Sequence, residues 1–203
     1  DDKTAINIGN ILITFVLKEI ANIKNKQLHK KLSNAFLKMA EGEILQYNER
    51  YKINFDKSIY FEKIIKKTAL LIELSLFGGG ILSNCDLDVL FELSQIGLNL
   101  GKAFQIRDDV IDYIKSNEKK TTGIDLLNGQ ITLPIIVASK KIKFDNLYFT
   151  QKDAVELIKF VDENDIIKCK NIMMRYLNDS KRRIIKIGFS KYFFDAINKL
   201  KYF

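Results

Sequence analysis

The sequence has little of what usually breaks or staples a chain. Its 203 residues include one proline, Pro134, two cysteines, one histidine and no tryptophan. With so little proline, long helices can run uninterrupted. A single histidine excludes a multi-histidine zinc site and a histidine-based triad. His29 lies among Lys26, Lys30 and Lys31, which predicts exposure. Cys85 and Cys169 match neither a metal-ligand nor a redox spacing, so they read as small apolar residues in a reducing cytosol. No phosphate-cradling glycine loop of the P-loop or dinucleotide type occurs. The triplet Gly78-Gly79-Gly80 follows an apolar run within a helical pattern, so it reads as close helix packing or a cavity wall. The opening Asp1-Asp2-Lys3 lacks the order of a signal peptide. No apolar run reaches ~18 residues, so no membrane span is expected. The chain reads as cytoplasmic.

What is present is ordinary for a globular protein: 47% hydrophobic and 29% charged residues, with a net charge of +8. The charge is uneven. Residues 139–203 hold 15 Lys and Arg against 8 Asp and Glu. These charges are scattered, and the densest cluster is Lys181-Arg182-Arg183, so a solvated face is expected and no nucleic-acid footprint. Helical periodicity dominates and predicts helices near 4–21, 27–50, 57–83, 86–116, 130–141, 152–161, 164–178 and 181–200. Short breaks between them imply antiparallel neighbours in one helical domain, 1–203. The longer polar stretch Ser116–Asn128 lies between two apolar helices, where loops often carry function.

Three features bear chemistry. On the helix at 86–116, Gly97, Gly101, Gln105, Asp108 and Asp112 fall along one ridge. Each interior glycine costs roughly 1 kcal/mol of helix propensity. Asp109 adds a third carboxylate, and oxygen ligands on one face suit a hard dication such as magnesium. The glycines leave room for a ligand or a close helix. On the helix at 57–83, Lys63 and Lys66 share a solvent face with Glu62 and Glu73. Lys67 instead has Phe61, Ile64, Leu71 and Leu74 as helical neighbours, so it either binds an anion or snorkels outward. Finally, Glu41-Gly42-Glu43 and Gln46 resemble a polar lining more than a core.

These residues resemble the trans-prenyl diphosphate synthases, the polyprenyl synthetase family. Phe104-Gln105-Ile106-Arg107-Asp108-Asp109-Val110-Ile111-Asp112 resembles the family's second aspartate-rich motif. Lys120-Thr121-Thr122-Gly123-Ile124-Asp125-Leu126 and Gly129-Gln130-Ile131-Thr132-Leu133-Pro134 resemble the loop and helix start after it. Lys67-Thr68 resembles the family's Lys-Thr pair, and the Glu41-Gly42-Glu43…Gln46 run is similar to the long-chain branch. Asp2-Lys3-Thr4-Ala5…Gly9-Asn10 is similar to the segment after the first aspartate motif.

The resemblance implies an all-α bundle of antiparallel helices around a central cavity, with the N-terminal helices and the first aspartate motif missing from the chain. It implies magnesium held by Asp108, Asp109 and Asp112, with Asp108, Asp109 and Lys67 catalytic. Lys67, Thr68, Gln105, Lys120 and Asp125 would bind substrate. The implied reaction condenses isopentenyl diphosphate with an allylic prenyl diphosphate into a long all-trans chain, for a quinone side chain. It further implies a homodimer with at most peripheral membrane contact. One departure is Gln130, where the family usually has lysine. The missing motif keeps a non-catalytic subunit of a heteromeric synthase as the alternative, followed by a terpene cyclase.

Overall fold

The computed structural model describes residues 2–114, 122–144, 146–188 and 191–201. Every regular element among them is helical, and one isolated antiparallel bridge joins Lys52 to Tyr148. Contacts divide the chain into two units, Asp1–Asn34 and Ala35–Phe203.

In the first unit, α1 (Asp2–Ala21) turns into the start of α2 (Lys26–Asn48), whose residues from Ala35 onward belong to the second unit. The turn is tied by Asn25, whose Oδ1 accepts from the Leu28 N–H at 2.9 Å. His29 contributes as well. It is half-buried rather than exposed, with Nε2 2.6 Å from the Ile23 carbonyl. The span Lys3–Ala21 is long and apolar enough to cross a membrane by length and composition, with mean hydropathy 1.4 and none of it buried. No such stretch is expected from the sequence, because isolated polar residues interrupt the apolar run.

In the second unit, α3 (Lys57–Ile64), a π-helical turn (Ile65–Ala69) and α4 (Leu70–Leu82) form one continuous rod, as expected over 57–83. Asp56 starts it by accepting the Ser58 N–H at 2.7 Å. Helix α5 (Leu87–Ile111) packs against both α4 and α9 (Glu163–Lys186). It ends sooner than the expected 116. The α4–α5 contact explains the glycine ridge. A Cβ at Gly97 would lie 2.5 Å from the Glu73 Cα, and one at Gly101 would lie 2.4 Å from the Ala69 Cα. Glu73, expected on a solvent face, is buried beneath this contact.

Helix α9 runs unbroken through 179–180, where the periodicity predicts a break. Cys169, Met173, Leu177, Ser180 and Ile184 recur at steps of four, four, three and four, and all are buried, so one stripe faces the core throughout. Capping boxes start α8 (Gln151–Ile158) at Thr150 and α9 at Asp162. The remaining helices are α6 (Ile124–Leu127), α7 (Leu133–Ala138) with a 3₁₀ turn Ser139–Lys141, and α10 (Lys191–Lys201).

Part of the basic C-terminal charge is structural. Arg183 bonds the buried Glu92 at 2.8 Å and Asp179 at 2.7 Å, Lys186 also pairs with Glu92, and Asn99 donates to Asp179 at 2.8 Å. Glu92→Ala would remove the carboxylate shared by Arg183 and the largely exposed Lys186. Because Arg183 keeps Asp179, the expected loss is about 2 kcal/mol, below the full penalty for a stranded buried charge. The hydrogen bond from Lys186, then that from Arg183, holds the Glu92 carboxyl below its ordinary value. A carboxyl depressed in the folded state contributes stability above its unfolded pKa, and that stability is lost as pH falls through the folded value. Chemical denaturation should therefore show an acid-side loss below about pH 4.3 that shrinks in Glu92→Gln.

Candidate active site

The site is assembled around the C-terminal half of α5. Steps of four carry the ridge from Gly97 and Gly101 through Gln105 to Asp109, not to Asp108. Asp109 is 2% exposed. Its Oδ2 accepts from the Tyr60 hydroxyl at 2.6 Å, and its Oδ1 accepts from Gln105 Nε2 at 3.1 Å. Gln105 Oε1 in turn accepts from the Thr68 hydroxyl at 2.8 Å. This chain of bonds joins α3, the π turn and α5. Burial pushes the Asp109 carboxyl up to about 6, against the opposing donors from Tyr60 and Gln105. Burial, with the Asp109 charge, also raises the Tyr60 phenol well above its ordinary value.

Lys67 and Thr68 both sit in the π turn. Such a turn inserts a residue into the helical ladder and is common at functional sites. Glycines flank it. A Cβ at Gly42 of α2 would lie 2.9 Å from the Lys66 Cβ and 3.1 Å from the Lys67 backbone nitrogen, and Gly101 abuts Ala69 from α5. The Glu41-Gly42-Glu43 run is thus split in function. Gly42 admits the turn, Glu43 pairs with Lys67 at 3.3 Å, and Gln46 accepts from Lys67 at 3.1 Å. Glu41 faces the other way, pairing with Lys38 at 2.9 Å and Lys66 at 3.2 Å.

The third wall lies beyond the end of α5. Asp112 uses both oxygens on backbone N–H groups, Ile124 and Asp125, each at 3.0 Å. It orders the turn that brings Asp125 to the site, and each oxygen retains a lone pair for a cation. Gly129, at φ 84°, is needed for two reasons. The left-handed backbone disfavours a side chain, and a Cβ would lie 2.8 Å from the Tyr51 ring. Its carbonyl accepts from the Tyr51 N–H at 2.8 Å. This bend presents Gln130 and Thr132.

These walls enclose a cavity of about 110 Å³ lined by Gln46, Tyr60, Lys63, Ile64, Lys67, Gln105, Asp109, Asp125, Gln130 and Thr132. Of the residues singled out in the sequence, Lys67, Gln105, Asp109 and Asp125 meet here, and Thr68 joins through Gln105. Asp108 is half-buried outside the lining, and Asp112 supports Asp125. Lys120 lies outside the described residues. Lys63, read as solvent-facing, lines the cavity instead, and burial lowers its pKa. A signal for it exists in the sequence, because it precedes Lys67 by four residues. Gln130, singled out as a departure, and Gln46 also line the cavity, as do Tyr60 and Thr132, which were not singled out; Tyr60 has no comparable signal.

The donor set fits magnesium. Burial holds the carboxyls of Asp108, Asp109 and Asp125 above their ordinary values. Among the described residues no three such groups form a ready-made cage. A cation held by one or two carboxylates would complete its shell with water and phosphate oxygens.

The chain is similar to several known proteins. A family model described as polyprenyl synthetase matches residues 1–170. A prenyl transferase from Synechocystis sp. is 35% identical over 175 residues, covering 83% of this chain and 54% of that protein. Heptaprenyl diphosphate synthase component 2 of Bacillus subtilis is 30% identical over 176 residues, covering 83% of this chain and 51% of that protein. The crystal structure of heptaprenyl diphosphate synthase from Staphylococcus aureus superposes with a TM-score of 0.86 at 29% identity. That match covers 98% of this chain and 67% of that one. The chain therefore spans about half the length of the curated relatives it matches.

Proposed function

The chain belongs to the polyprenyl synthetase family, and from that premise we propose that its protein condenses isopentenyl diphosphate with an allylic prenyl diphosphate to make a long-chain all-trans polyprenyl diphosphate, for a quinone side chain. The observation that carries this reading is the cavity where Lys67, Gln105, Asp109 and Asp125 converge.

In this reading Lys67 presents a fixed ammonium to the allylic diphosphate, held at the cavity by Gln46 and Glu43. Gln105, oriented by Thr68, contacts the same group. Asp108, Asp109 and Asp112 would hold magnesium, Asp125 would bind substrate, and Lys120 would add a further cation. Bound magnesium neutralises the diphosphate and the charge that builds on it as it leaves. Because these groups are positioned beforehand, little reorganisation is needed when the carbon–oxygen bond breaks. The allylic cation is then attacked by the isopentenyl double bond, and proton loss completes the step. Incubation of the protein with magnesium, farnesyl diphosphate and labelled isopentenyl diphosphate tests this. Extended polyprenyl diphosphates are expected, and their absence rejects the reading.

We propose a cytoplasmic homodimer. The Bacillus relative's name, component 2 of a synthase, supports a second reading in which the active form pairs this chain with a different subunit. Activity and dimeric mass of the protein purified alone favour the first. Activity only after a second component is added favours the other.

A further inference from the structure

We propose that Lys63 is a further ligand for the diphosphate group, supplying at the Gln130 end of the cavity a positive charge that residue 130 does not carry. This deepens the prenyl-transfer reading and rests on it. Lys63 lines the same cavity as Lys67, Gln130 and Thr132. Its Nζ lies 3.4 Å from the Ile131 carbonyl, the residue next to Gln130. That long contact is the one hydrogen bond found for it among the described residues, and an ammonium carries three donors.

Lys67 has Glu43 at ion-pairing distance, whereas no carboxylate among the described residues pairs with Lys63. Asp109 of α5, Glu49 after α2, Asp125 of α6 and Lys67 act on it from further off. A half-buried lysine without a counter-ion is costly unless an anion is supplied. Other groups beside it are also unspent. Gln130 Oε1 and Thr132 Oγ1 are buried without hydrogen-bond partners. Thr132 is 6% exposed, and the Tyr113 hydroxyl is close enough to act on it. The Thr132 hydroxyl is a donor able to meet a phosphate oxygen beside Lys63.

Calorimetric titration of the purified protein with inorganic diphosphate, in the presence of magnesium, tests the assignment. Lys63→Met keeps the apolar stem and removes the charge. It is expected to weaken diphosphate binding by about 10- to 100-fold, the range of one charge-assisted hydrogen bond, with an unchanged or higher melting temperature. Lys63→Met combined with Gln130→Lys is expected to recover most of the affinity. Equal binding by wild type and Lys63→Met overturns the proposal. So does weakened binding that accompanies a lower melting temperature and is not restored by Gln130→Lys, since that pattern assigns Lys63 to packing. If the prenyl-transfer reading itself is wrong, the wild type binds no diphosphate and extends no prenyl chain, which separates the two failures.

Discussion

Replacing Asp108 with alanine is expected to slow prenyl transfer by about a thousandfold, the scale seen when fixed electrostatic stabilisation of a developing charge is removed. The melting temperature should not fall. Asp108 is half-buried, and burial raises its carboxyl pKa with only Arg107 opposing. Among the described residues no hydrogen bond or ion pair holds that carboxylate, so a structural role has nothing to act through. Asp109 and Asp112 differ in this respect. Asp109 is bonded by Tyr60 and Gln105, and Asp112 caps the turn at Ile124 and Asp125. Changes at either mix catalysis with architecture, which makes Asp108 the cleanest test of the metal assignment. Steady-state rates beside thermal melts decide it. A near-normal rate in Asp108→Ala rejects the assignment, and a collapsed melt points to a structural role.

Gly101→Ala should produce the largest change in stability. The new Cβ would lie 2.4 Å from the Ala69 Cα and 2.7 Å from its Cβ. Ala69 is fully buried in the π turn, so no flexible side chain can move aside and the helices must separate. Overpacking of this kind costs about 3 kcal/mol, which for a chain of this size lowers the melting temperature by roughly 6 to 12 °C. Because the same turn carries Lys67 and Thr68, diphosphate binding should weaken in parallel. Gly79 provides the contrast. Nothing lies within 4 Å of a Cβ placed there, so Gly79→Ala should stabilise the protein by about 0.8 kcal/mol through helix propensity alone. A Gly101→Ala variant that melts like wild type would mean that the π turn and α5 do not meet as closely as described.

The glycines show how far the sequence reaches and where it stops. Gly97 and Gly101 at a step of four are costly in a helix, so their presence points to a ligand or a close neighbour. The structure resolves that choice in favour of α4. The Gly78-Gly79-Gly80 triplet divides. Gly80 packs against Leu90 and Leu93, while Gly79 faces open space. For Lys67 the helical pattern leaves anion binding and snorkelling open, and it reaches the cavity because Gln46 and Glu43 of α2 hold its ammonium there. Lys63 escapes a helical projection because the charges of Glu62 and Lys66 beside it suggest water on that face.

By itself the sequence determined the helical class, since near-absence of proline and a sustained helical period leave few alternatives. It also determined the family, because that depends on residue type, order and spacing along the chain. Tertiary structure alone decided which carboxylate lines the cavity, which one orders a turn, and which cavity lysine lacks a carboxylate partner among the described residues. A helical projection ranks faces by their own composition. It cannot know how closely another helix approaches, nor that a π turn at Ile65–Ala69 adds a residue and rotates α4 relative to α3. Those depend on contacts between segments far apart in sequence, such as Gly42 with Lys66 and Gly101 with Ala69.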